Sequence, residues 1–298
     1  MNHPSLHSLA SLLDVDIQDW NYIGQNRSSN QLIKIFDGDA FYVVKFYRNS
    51  FSFKRELAVL LKCEEYGIRS PRVVFYREEE EPLENWLIYT YLEGTPLSLL
   101  RETTPVSMLC TPFFELGREL RKFHALKFGG PDARIDYRKS RQIILRDTGR
   151  YLSALKEEIS SEFFAPVVSY LEEQAAGLEN PEHYVYIIRD FNDKHFLLDS
   201  SATGYCLSGI IDFEEVVFSH RFMDFVPFYS RYFFGYPELE SSFFKGYGWN
   251  IGEMEKKMIA FFLFREALEL AGVLKDVDAG NKAWGEETVE QTWAWLQR

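Results

Sequence analysis

Apolar residues in the first third of the chain fall into short runs that are separated by turn signals. The runs are rich in β-branched and aromatic side chains, which is typical of strands. Asp37-Gly38-Asp39 divides the first two runs and indicates a hairpin. Between residues 52 and 66 the apolar positions recur at helical spacing, and Gly67 fits the end of a helix. The strands predicted around this helix are residues 32–35, 41–47, 73–76 and 86–91.

Helical spacing dominates the chain beyond Gly94, with one strand-like block inside it. The pattern therefore predicts an α+β fold with two lobes. The small β-rich N-terminal lobe is expected to span residues 1–93, and the larger α-rich C-terminal lobe residues 94–298. The helices predicted in the second lobe are residues 113–128, 141–178 and the tail from 222, and its strands are residues 184–188, 196–198 and 206–211.

Composition narrows the range of partners. The chain has 298 residues, of which 46% are hydrophobic, and its 33 Lys and Arg against 45 Asp and Glu give a net charge of −12. This balance argues against nucleic acid and against an anionic membrane surface, because both select basic faces. A neutral or cationic small molecule is accommodated easily. No signal peptide or membrane span is visible, and three scattered cysteines suit a reducing cytoplasm, so we expect a cytoplasmic protein without an obligate protein partner.

Lys45 stands at the end of an apolar run, in Val43-Val44-Lys45, where its ammonium needs a partner. Glu56 follows 11 residues later in the predicted helix and could hold this ammonium against nucleotide phosphates. The alternative is a lysine that reaches solvent and a solvated glutamate. Taken alone, the pair does not decide between these interpretations.

Two carboxylates follow apolar runs in the second half of the chain. Asp190 comes directly after residues 184–188, and Asp212 ends the run of residues 206–211, 22 positions later. Phosphoryl transfer needs one carboxylate to orient the acceptor hydroxyl and accept its proton, and another to hold Mg²⁺ on the phosphates. An Asp after a strand is often only a turn residue. The order Lys45, Glu56, Asp190, Asp212 nevertheless favours phosphoryl transfer.

Together these motifs resemble the antibiotic phosphotransferase family, which comprises aminoglycoside and macrolide kinases with a protein-kinase-like fold. The resemblance extends over residues 23–229. It is carried by Val44-Lys45, Glu56, residues 87–94, Arg189-Asp190 with His195 five positions after the aspartate, and Ile211-Asp212-Phe213.

The resemblance implies a role for each matching residue. Lys45 would contact the nucleotide phosphates and Glu56 would position it. Asp190 would be the catalytic base, and Asp212 the principal Mg²⁺ ligand. The backbone of Thr90 and Leu92 would meet the purine edge of ATP or GTP. Residues 23–30 would cover the phosphates, with Ser28 and Ser29 as the phosphate contacts, although this loop holds one glycine and departs from the protein-kinase pattern.

Two departures concern the catalytic loop. Ile188 replaces the histidine that usually precedes the Arg-Asp pair, and His195 stands where the family usually has an asparagine. Mg²⁺ prefers oxygen ligands, but macrolide kinases and the aminoglycoside kinases acting on the 2″-hydroxyl share this histidine. The resemblance therefore implies His195 as a second metal ligand. A histidine bonded within the core, or a ligand acting through water, remains open.

The acceptor is the least determined part of the prediction. Glu214, Glu215 and Glu238 are candidate contacts for a cationic substrate, with a solvent-facing role as the alternative. We expect a Mg²⁺-dependent small-molecule kinase acting on an antibiotic, an aminoglycoside before a macrolide. The alternatives are a metabolic kinase for an amino alcohol, sugar or amino acid, and a pseudokinase. Asp224 and His124 match family residues that support the catalytic loop.

Overall fold

One long helix and a set of short strands form the first part of the chain. The structure is a computed structural model, and it describes residues 17–23, 30–78, 85–128, 136–155, 161–201, 204–275, 277–278 and 280–298. The described strands of this part are β1 (Asp19–Ile23), β2 (Gln31–Phe36), β3 (Phe41–Phe46), β4 (Val73–Arg77) and β5 (Trp86–Thr90), and the helix between β3 and β4 is α1 (Ser50–Glu65).

The five strands form one antiparallel sheet in the order β1-β2-β3-β5-β4. Side chains alternate between its two faces because successive residues of a strand point in opposite directions. One face packs into a core of six buried side chains. These are Ile33, Ile35, Val44, Phe46, Trp86 and Ile88. Lys45 lies between two members of this core and so belongs to the opposite face, which carries the candidate site.

Helix α1 begins at a polar cap and buries one stripe. The Asn49 side chain accepts hydrogen bonds from the backbone N–H groups of Phe51 and Ser52 at 2.7 and 3.4 Å, which satisfies two donors of the first turn. Phe53, Glu56 and Leu60 are buried at a spacing of three and four residues, so the glutamate lies on the apolar face of the helix.

The rest of the chain is mainly helical. Three described strands, β6 (Thr95–Pro96), β8 (Phe196–Ser201) and β9 (Gly204–Ile210), form one antiparallel sheet, and β7 (Tyr184–Ile187) pairs with β10 (Val217–His220). The described α-helices are α2 (Leu97–Leu100), α3 (Val106–His124), α4 (Tyr137–Leu155), α5 (Ser161–Gln174), α6 (Val226–Phe228), α7 (Pro237–Tyr247), α8 (Glu253–Leu268) and α9 (Asn281–Leu296). None of the described helices is long and apolar enough to span a membrane.

Contacts divide the chain into two compact units. The first contains residues 1–104 and 193–216, and the second contains residues 105–192 and 217–298. The β8-β9 hairpin thus groups with the N-terminal sheet, although it follows the helices in sequence. The predicted lobe boundary after residue 93 remains a prediction.

Helices α3 and α7 approach each other through glycines. A Cβ at Gly246 would lie 1.8 Å from the Phe114 carbonyl oxygen, and one at Gly117 would lie 2.1 Å from the Phe243 carbonyl oxygen. Such distances leave no room for a side chain, so the two backbones are in direct contact. This contact fixes α7, whose last residue Tyr247 supports the candidate catalytic loop.

Candidate active site

Lys45 is the centre of a buried charge cluster in the first unit. Its Nζ lies 2.7 Å from Glu56 Oε2, 3.2 Å from Asp212 Oδ1 and 3.1 Å from Glu214 Oε2. The lysine is 4% exposed and Glu56 is 2% exposed. Burial alone would lower the pKa of Lys45, but Glu56 and Asp212 raise it well above its usual value. The lysine is therefore a fixed cation rather than a group that titrates near neutral pH.

A tyrosine that the sequence analysis did not single out completes the pair. Tyr47 Oη donates to Glu56 Oε2 at 2.7 Å, so this glutamate oxygen accepts from both Lys45 and Tyr47. Tyr47 lies two positions after Lys45 and hence on the same side of an extended chain. That period of two is the signal that could have identified it.

The pKa values of Asp212 and Glu214 are shifted in opposite directions. Burial would raise the pKa of Asp212, but Lys45 and His195 lower it below its usual value. The pKa of Glu214 is raised by burial, which Lys45 only partly offsets. Glu214 is further held by the Asn30 side-chain amide, and its carbonyl oxygen accepts from Arg55 Nη1 at 2.9 Å. Asp212 is thus the firmly ionised carboxylate of the two.

The carboxylates of Glu56, Asp212 and Glu214 each offer an oxygen within 4.8 Å of the other two. Hard divalent cations such as Mg²⁺ take oxygen ligands of this kind. His195 Nε2 lies 3.5 Å from Asp212 Oδ2. The carboxylates therefore fit Mg²⁺ better than the imidazole does, and the role of His195 as a ligand remains a prediction.

A cavity of about 330 Å³ opens on the Lys45 face of the sheet. Lys45, Asp212 and Glu214 line it together with apolar side chains, which are Ile23, Leu32, Val43, Leu92, Leu197 and Ile211. Strand pairing explains this wall, because Leu32 lies opposite Lys45 in the β2-β3 pair and Val43 lies opposite Tyr89 in the β3-β5 pair. The cavity combines an apolar wall with a fixed cation and carboxylates, as a flat base with attached phosphates requires.

Thr90 and Leu92, the predicted backbone contacts to the purine, lie in different surroundings. Leu92 lines the cavity. The Thr90 N–H donates to the Arg72 carbonyl at 2.9 Å, and its hydroxyl accepts from the Arg72 N–H at 2.9 Å. The Thr90 N–H and hydroxyl are thus engaged within the sheet, and a contact of Thr90 with a purine stays a prediction. Ser28 and Ser29 lie outside the described residues.

Asp190 belongs to the second unit and is exposed. Its N–H donates to the Ile188 carbonyl at 2.8 Å, and its carboxylate accepts from Asn192 Nδ2 at 2.6 Å. The aspartate thus lies in a tight turn directly after β7, as its position in the sequence predicts.

A buried hydrogen-bond network supports this turn. Asp224 accepts from the N–H groups of Ile188 and Arg189 at 3.0 and 3.1 Å, and His124 Nε2 lies 3.0 Å from the same carboxylate. His124 Nδ1 lies 2.7 Å from Tyr247 Oη. Burial lowers the pKa of His124, so the neutral ring donates to Asp224 and accepts from Tyr247. The structure thereby gives Asp224 and His124 the supporting role that the sequence indicates.

The backbone is unusual at two positions beside this chemistry. Among the described residues other than glycine, Arg189 and Asp212 alone have positive φ, at 62° and 68°. This left-handed conformation is costly for side chains without a local hydrogen-bonding advantage. Both residues are next to, or part of, the predicted catalytic set.

The remaining candidate acceptor contacts are scattered. Glu214 is engaged by Lys45, Glu215 is partly buried in the first unit, and Glu238 is exposed in the first turn of α7. Their role toward an acceptor stays a prediction.

Comparison with known proteins identifies the family. Residues 24–256 match the model of the phosphotransferase enzyme family. The chain therefore belongs to this family and is a phosphotransferase enzyme, as the motifs predicted. Among curated proteins, no match to this sequence was found.

Solved structures share the fold at low identity. A spectinomycin phosphotransferase in complex with ADP and spectinomycin superimposes with a TM-score of 0.64 at 15% identity, covering 100% of both chains. The GDP and kanamycin complex of APH(2")-IIIa gives 0.64 at 17% identity, covering 97% of this chain and 99% of that one. ADP-bound APH(2'')-Ib gives 0.65 at 14% identity, with 98% and 99% covered. The predicted protein-kinase-like α+β fold, β-rich at the N-terminus and α-rich at the C-terminus, is confirmed.

Proposed function

We propose that the protein transfers the γ-phosphate of a purine nucleoside triphosphate, ATP or GTP, to a hydroxyl group of a small molecule in the cytoplasm. The observation that supports this most directly is the cavity of the first unit, in which an apolar wall meets the buried Lys45–Glu56 pair and Asp212. Proteins that bind nucleotides need both parts, one for the base and one for the phosphates.

Within this proposal the first unit binds the nucleotide. Leu32, Val43 and Leu92 enclose the base, while the Thr90 carbonyl and the Leu92 N–H meet its edge. Lys45 binds phosphate oxygens, and Glu56 keeps its ammonium in place with the help of Tyr47. Ser28 and Ser29 are proposed as further phosphate contacts.

Asp212 is the proposed Mg²⁺ ligand, with Glu214 and His195 as neighbours that could complete the set. When bound, the metal ion would neutralise charge on the phosphates. The Lys45 ammonium already offsets part of the repulsion between these carboxylates, so the chain can hold them close together without a metal.

Asp190 is the proposed catalytic base. It would orient the acceptor hydroxyl and accept its proton as the oxygen forms a bond to the γ-phosphorus. The bond from this phosphorus to the β–γ bridging oxygen breaks, and ADP or GDP leaves with the electron pair. The products are a phosphate monoester and a nucleoside diphosphate, and the proton passes from Asp190 to solvent.

Two acceptor classes have support. The net charge of −12 favours an aminoglycoside antibiotic, a class that includes the kanamycin bound by one structural neighbour, with a macrolide as the second antibiotic candidate. A second, mixed-charge cavity in the second unit favours a small metabolic acceptor.

The test is nucleotide turnover. The purified protein, with Mg²⁺ and ATP or GTP, is assayed for nucleoside diphosphate release against aminoglycosides, macrolides, amino alcohols, sugars and hydroxy amino acids. We expect one class to stimulate release, and Asp190→Asn to lower the rate by about 10²–10⁴-fold. Asp199→Asn, an exposed aspartate on β8, is the matched control and should keep the rate.

Three results would contradict the proposal. If Mg-ATP and Mg-GTP both leave the melting temperature unchanged, the protein is not a nucleotide-dependent kinase under these conditions. If nucleotide stabilises the fold but Asp190→Asn retains the full rate, the assigned base is wrong. Nucleotide binding without any phosphorylated product would indicate a pseudokinase.

A further inference from the structure

The mixed-charge cavity of the second unit has a volume of about 230 Å³, and none of its lining residues has been given a role above. Its polar wall comes from α4, from α8 and from the π-helical turn at Glu269–Val273 that follows α8. The polar side chains that matter are Asp147, Arg150, Tyr151, Arg265, Glu266 and Glu269. Arg189, which directly precedes Asp190, also lines the cavity.

Arg265 is a buried cation that forms no ion pair within 4 Å among the described residues, although its charge lowers the pKa of the neighbouring Glu266. It is 8% exposed, and its one side-chain hydrogen bond among the described residues runs from Nη2 to Tyr151 Oη at 3.4 Å. Its Nε has no hydrogen-bond partner in the described part of the chain. Buried charges in proteins are normally paired, because an unpaired one costs several kcal/mol. Arg265 is therefore suited to bind an anionic group of a ligand.

Glu266, the next residue of α8, has an acceptor atom that is left without a hydrogen bond. Its Oε2 is enclosed and has no hydrogen-bond partner among the described residues. Burial raises the pKa of this carboxyl to about 7, although Arg231 and Arg265 act in the opposite direction. This oxygen therefore lacks a donor, and an ammonium group would supply one.

Tyr151 joins the two sides of the cavity. The guanidinium carbons of Arg265 and Arg150 lie 5.0 and 5.2 Å from the centroid of its ring. This arrangement places a second arginine near the first, on the neighbouring helix. Two guanidiniums on one tyrosine suit a carboxylate, which arginine binds with paired hydrogen bonds.

The charge of the lining suits a zwitterion better than a polycation. Three arginines, Arg150, Arg189 and Arg265, face three carboxyl groups, Asp147, Glu266 and Glu269. A polycation would have to bring like charge against the arginines, which discriminates against it. The volume is also below the roughly 300–1,000 Å³ of pockets for drug-sized ligands. The cavity suits a molecule of amino-acid size.

We propose that this cavity binds the acceptor, and that the acceptor is a small zwitterion that carries a hydroxyl, a carboxylate and an ammonium group. Arg265 and Arg150 bind the carboxylate and Glu266 binds the ammonium. The inference rests on the proposed function, because Arg189 links the cavity wall to Asp190. The hydroxyl oxygen then gains the γ-phosphorus, its proton goes to Asp190, and the nucleoside diphosphate leaves.

The first test measures binding by calorimetry to the full chain in the presence of Mg-ADP. The probes are serine, threonine and homoserine, the methyl ester of each, which lacks the carboxylate, and the matching amino alcohols. We expect at least one amino acid to bind, and its ester and amino alcohol to bind at least tenfold more weakly. Equal binding of the ester, or binding of kanamycin but of none of the amino acids, overturns the inference.

The second test uses variants of the cavity. Arg265→Met should weaken amino-acid binding at least tenfold without lowering the melting temperature, because it removes an unpaired buried charge. Glu266→Gln should weaken it as well and provides a second readout. Arg138→Met, an exposed arginine at the start of α4, is the matched control and should change neither. Unchanged amino-acid affinity in both cavity variants overturns the inference.

The experiments distinguish a failure of the proposed function from a failure of the inference about the acceptor cavity. If Mg-nucleotide does not stabilise the wild-type protein, the proposed function fails and the inference fails with it. If nucleotide stabilises the protein but no amino acid binds, the inference alone is wrong, and the kinase acts on another acceptor.

Discussion

Lys45 shows how a charged side chain can be buried in a strand whose other face packs into a hydrophobic core. A lone ammonium at 4% exposure would cost more than the strand gains, but three carboxylates share its charge. The cluster is consequently more than a nucleotide contact. Removing any one member leaves the others with unbalanced charge, so effects on binding and on folding have to be measured separately.

Lys45→Met should abolish stabilisation by Mg-nucleotide, because the phosphates lose their fixed cation. It should also lower the free energy of unfolding by about 3–5 kcal/mol, since Glu56 stays buried without its ion pair. Thermal shift with and without Mg-ADP, together with urea unfolding, measures both effects. Lys54→Met, whose side chain is 61% exposed, is the control and should leave both quantities unchanged.

Glu266 gives a second prediction at the scale of one residue, in the pH dependence of stability. Its pKa of about 7 lies above the ordinary value of 4.5, so the folded state holds the proton more tightly than the unfolded state. Stability from this group is present below about pH 5 and is lost as the pH rises through 7. Glu266→Gln should remove that loss and gain about 1–3 kcal/mol at pH 8.

Urea unfolding of wild type and Glu266→Gln at pH 5, 6, 7 and 8 measures the difference. A constant difference between the two proteins over this range would contradict the prediction. Glu286→Gln, an exchange of the same chemistry on α9, provides the comparison.

At the scale of elements, the α3–α7 pair depends on glycines rather than on matched side chains. Gly246→Ala would drive a methyl group against the Phe114 carbonyl at 1.8 Å, and the helices must separate to admit it. We expect a loss of at least 1–3 kcal/mol, the usual cost of overpacking. Because Tyr247 follows directly, activity should fall together with stability.

The matched control is Gly149→Ala on α4, where an added Cβ meets no atom within 4 Å. There the exchange should stabilise the protein by about 0.5–1 kcal/mol, because alanine is the better helix former. Chemical denaturation of both variants measures the contrast. Equal effects of the two exchanges would mean that the α3–α7 backbones are not in contact in solution.

Elements with a strong period were predictable from the sequence, and short or context-dependent ones were not. Helix α1 and strands β2 and β3 follow their apolar patterns closely, since each of the three has a buried face. The run of residues 141–178, predicted as helical, contains most of α4, which begins at Tyr137 and ends at Leu155, and all of α5. Strand β10 was missed because four residues with a polar second half carry no clear period. Pairing with β7 alone makes it a strand.

The site residues also divide into those that the sequence could predict and those that it could not. Lys45, Glu56 and Asp212 could be predicted because each is a charge at a defined point of an apolar pattern, and the structure brings them together. Arg265 and Glu266 are equally charged within an apolar helix, but their meaning depends on α4, more than a hundred residues earlier. No local pattern shows which charges a distant helix will enclose.

For the whole molecule, net charge proves a weak guide to the ligand. The value of −12 leaves room for a small molecule and suggests a cationic one. The cavity of the second unit nevertheless has as many arginines as carboxyl groups in its lining. Summed charge governs long-range attraction, whereas the few enclosed groups of each cavity decide which ligand binds.

Two ligands should therefore leave two separate footprints in hydrogen exchange. Mg-ADP should slow exchange in β2, β3 and residues 193–216, which belong to the first unit. A bound hydroxy amino acid should slow exchange in α4 and α8, which belong to the second. Mass spectrometry of peptides with each ligand alone checks this. Protection of α4 and α8 by Mg-ADP alone would contradict the assignment of the cavities.

The left-handed backbone at Arg189 and Asp212 has a consequence for anyone who engineers this enzyme. At Arg189 replacement by glycine would relieve a local cost of about 1–2 kcal/mol, so a screen that ranks variants only by heat resistance would select Arg189→Gly early. It would thereby discard a guanidinium of the proposed acceptor cavity. At Asp212 the same replacement would remove the proposed metal ligand and would also leave the buried Lys45 cluster with unbalanced charge. Libraries for thermostability should hold these two positions fixed and take their gains from exposed helix sites such as Gly149.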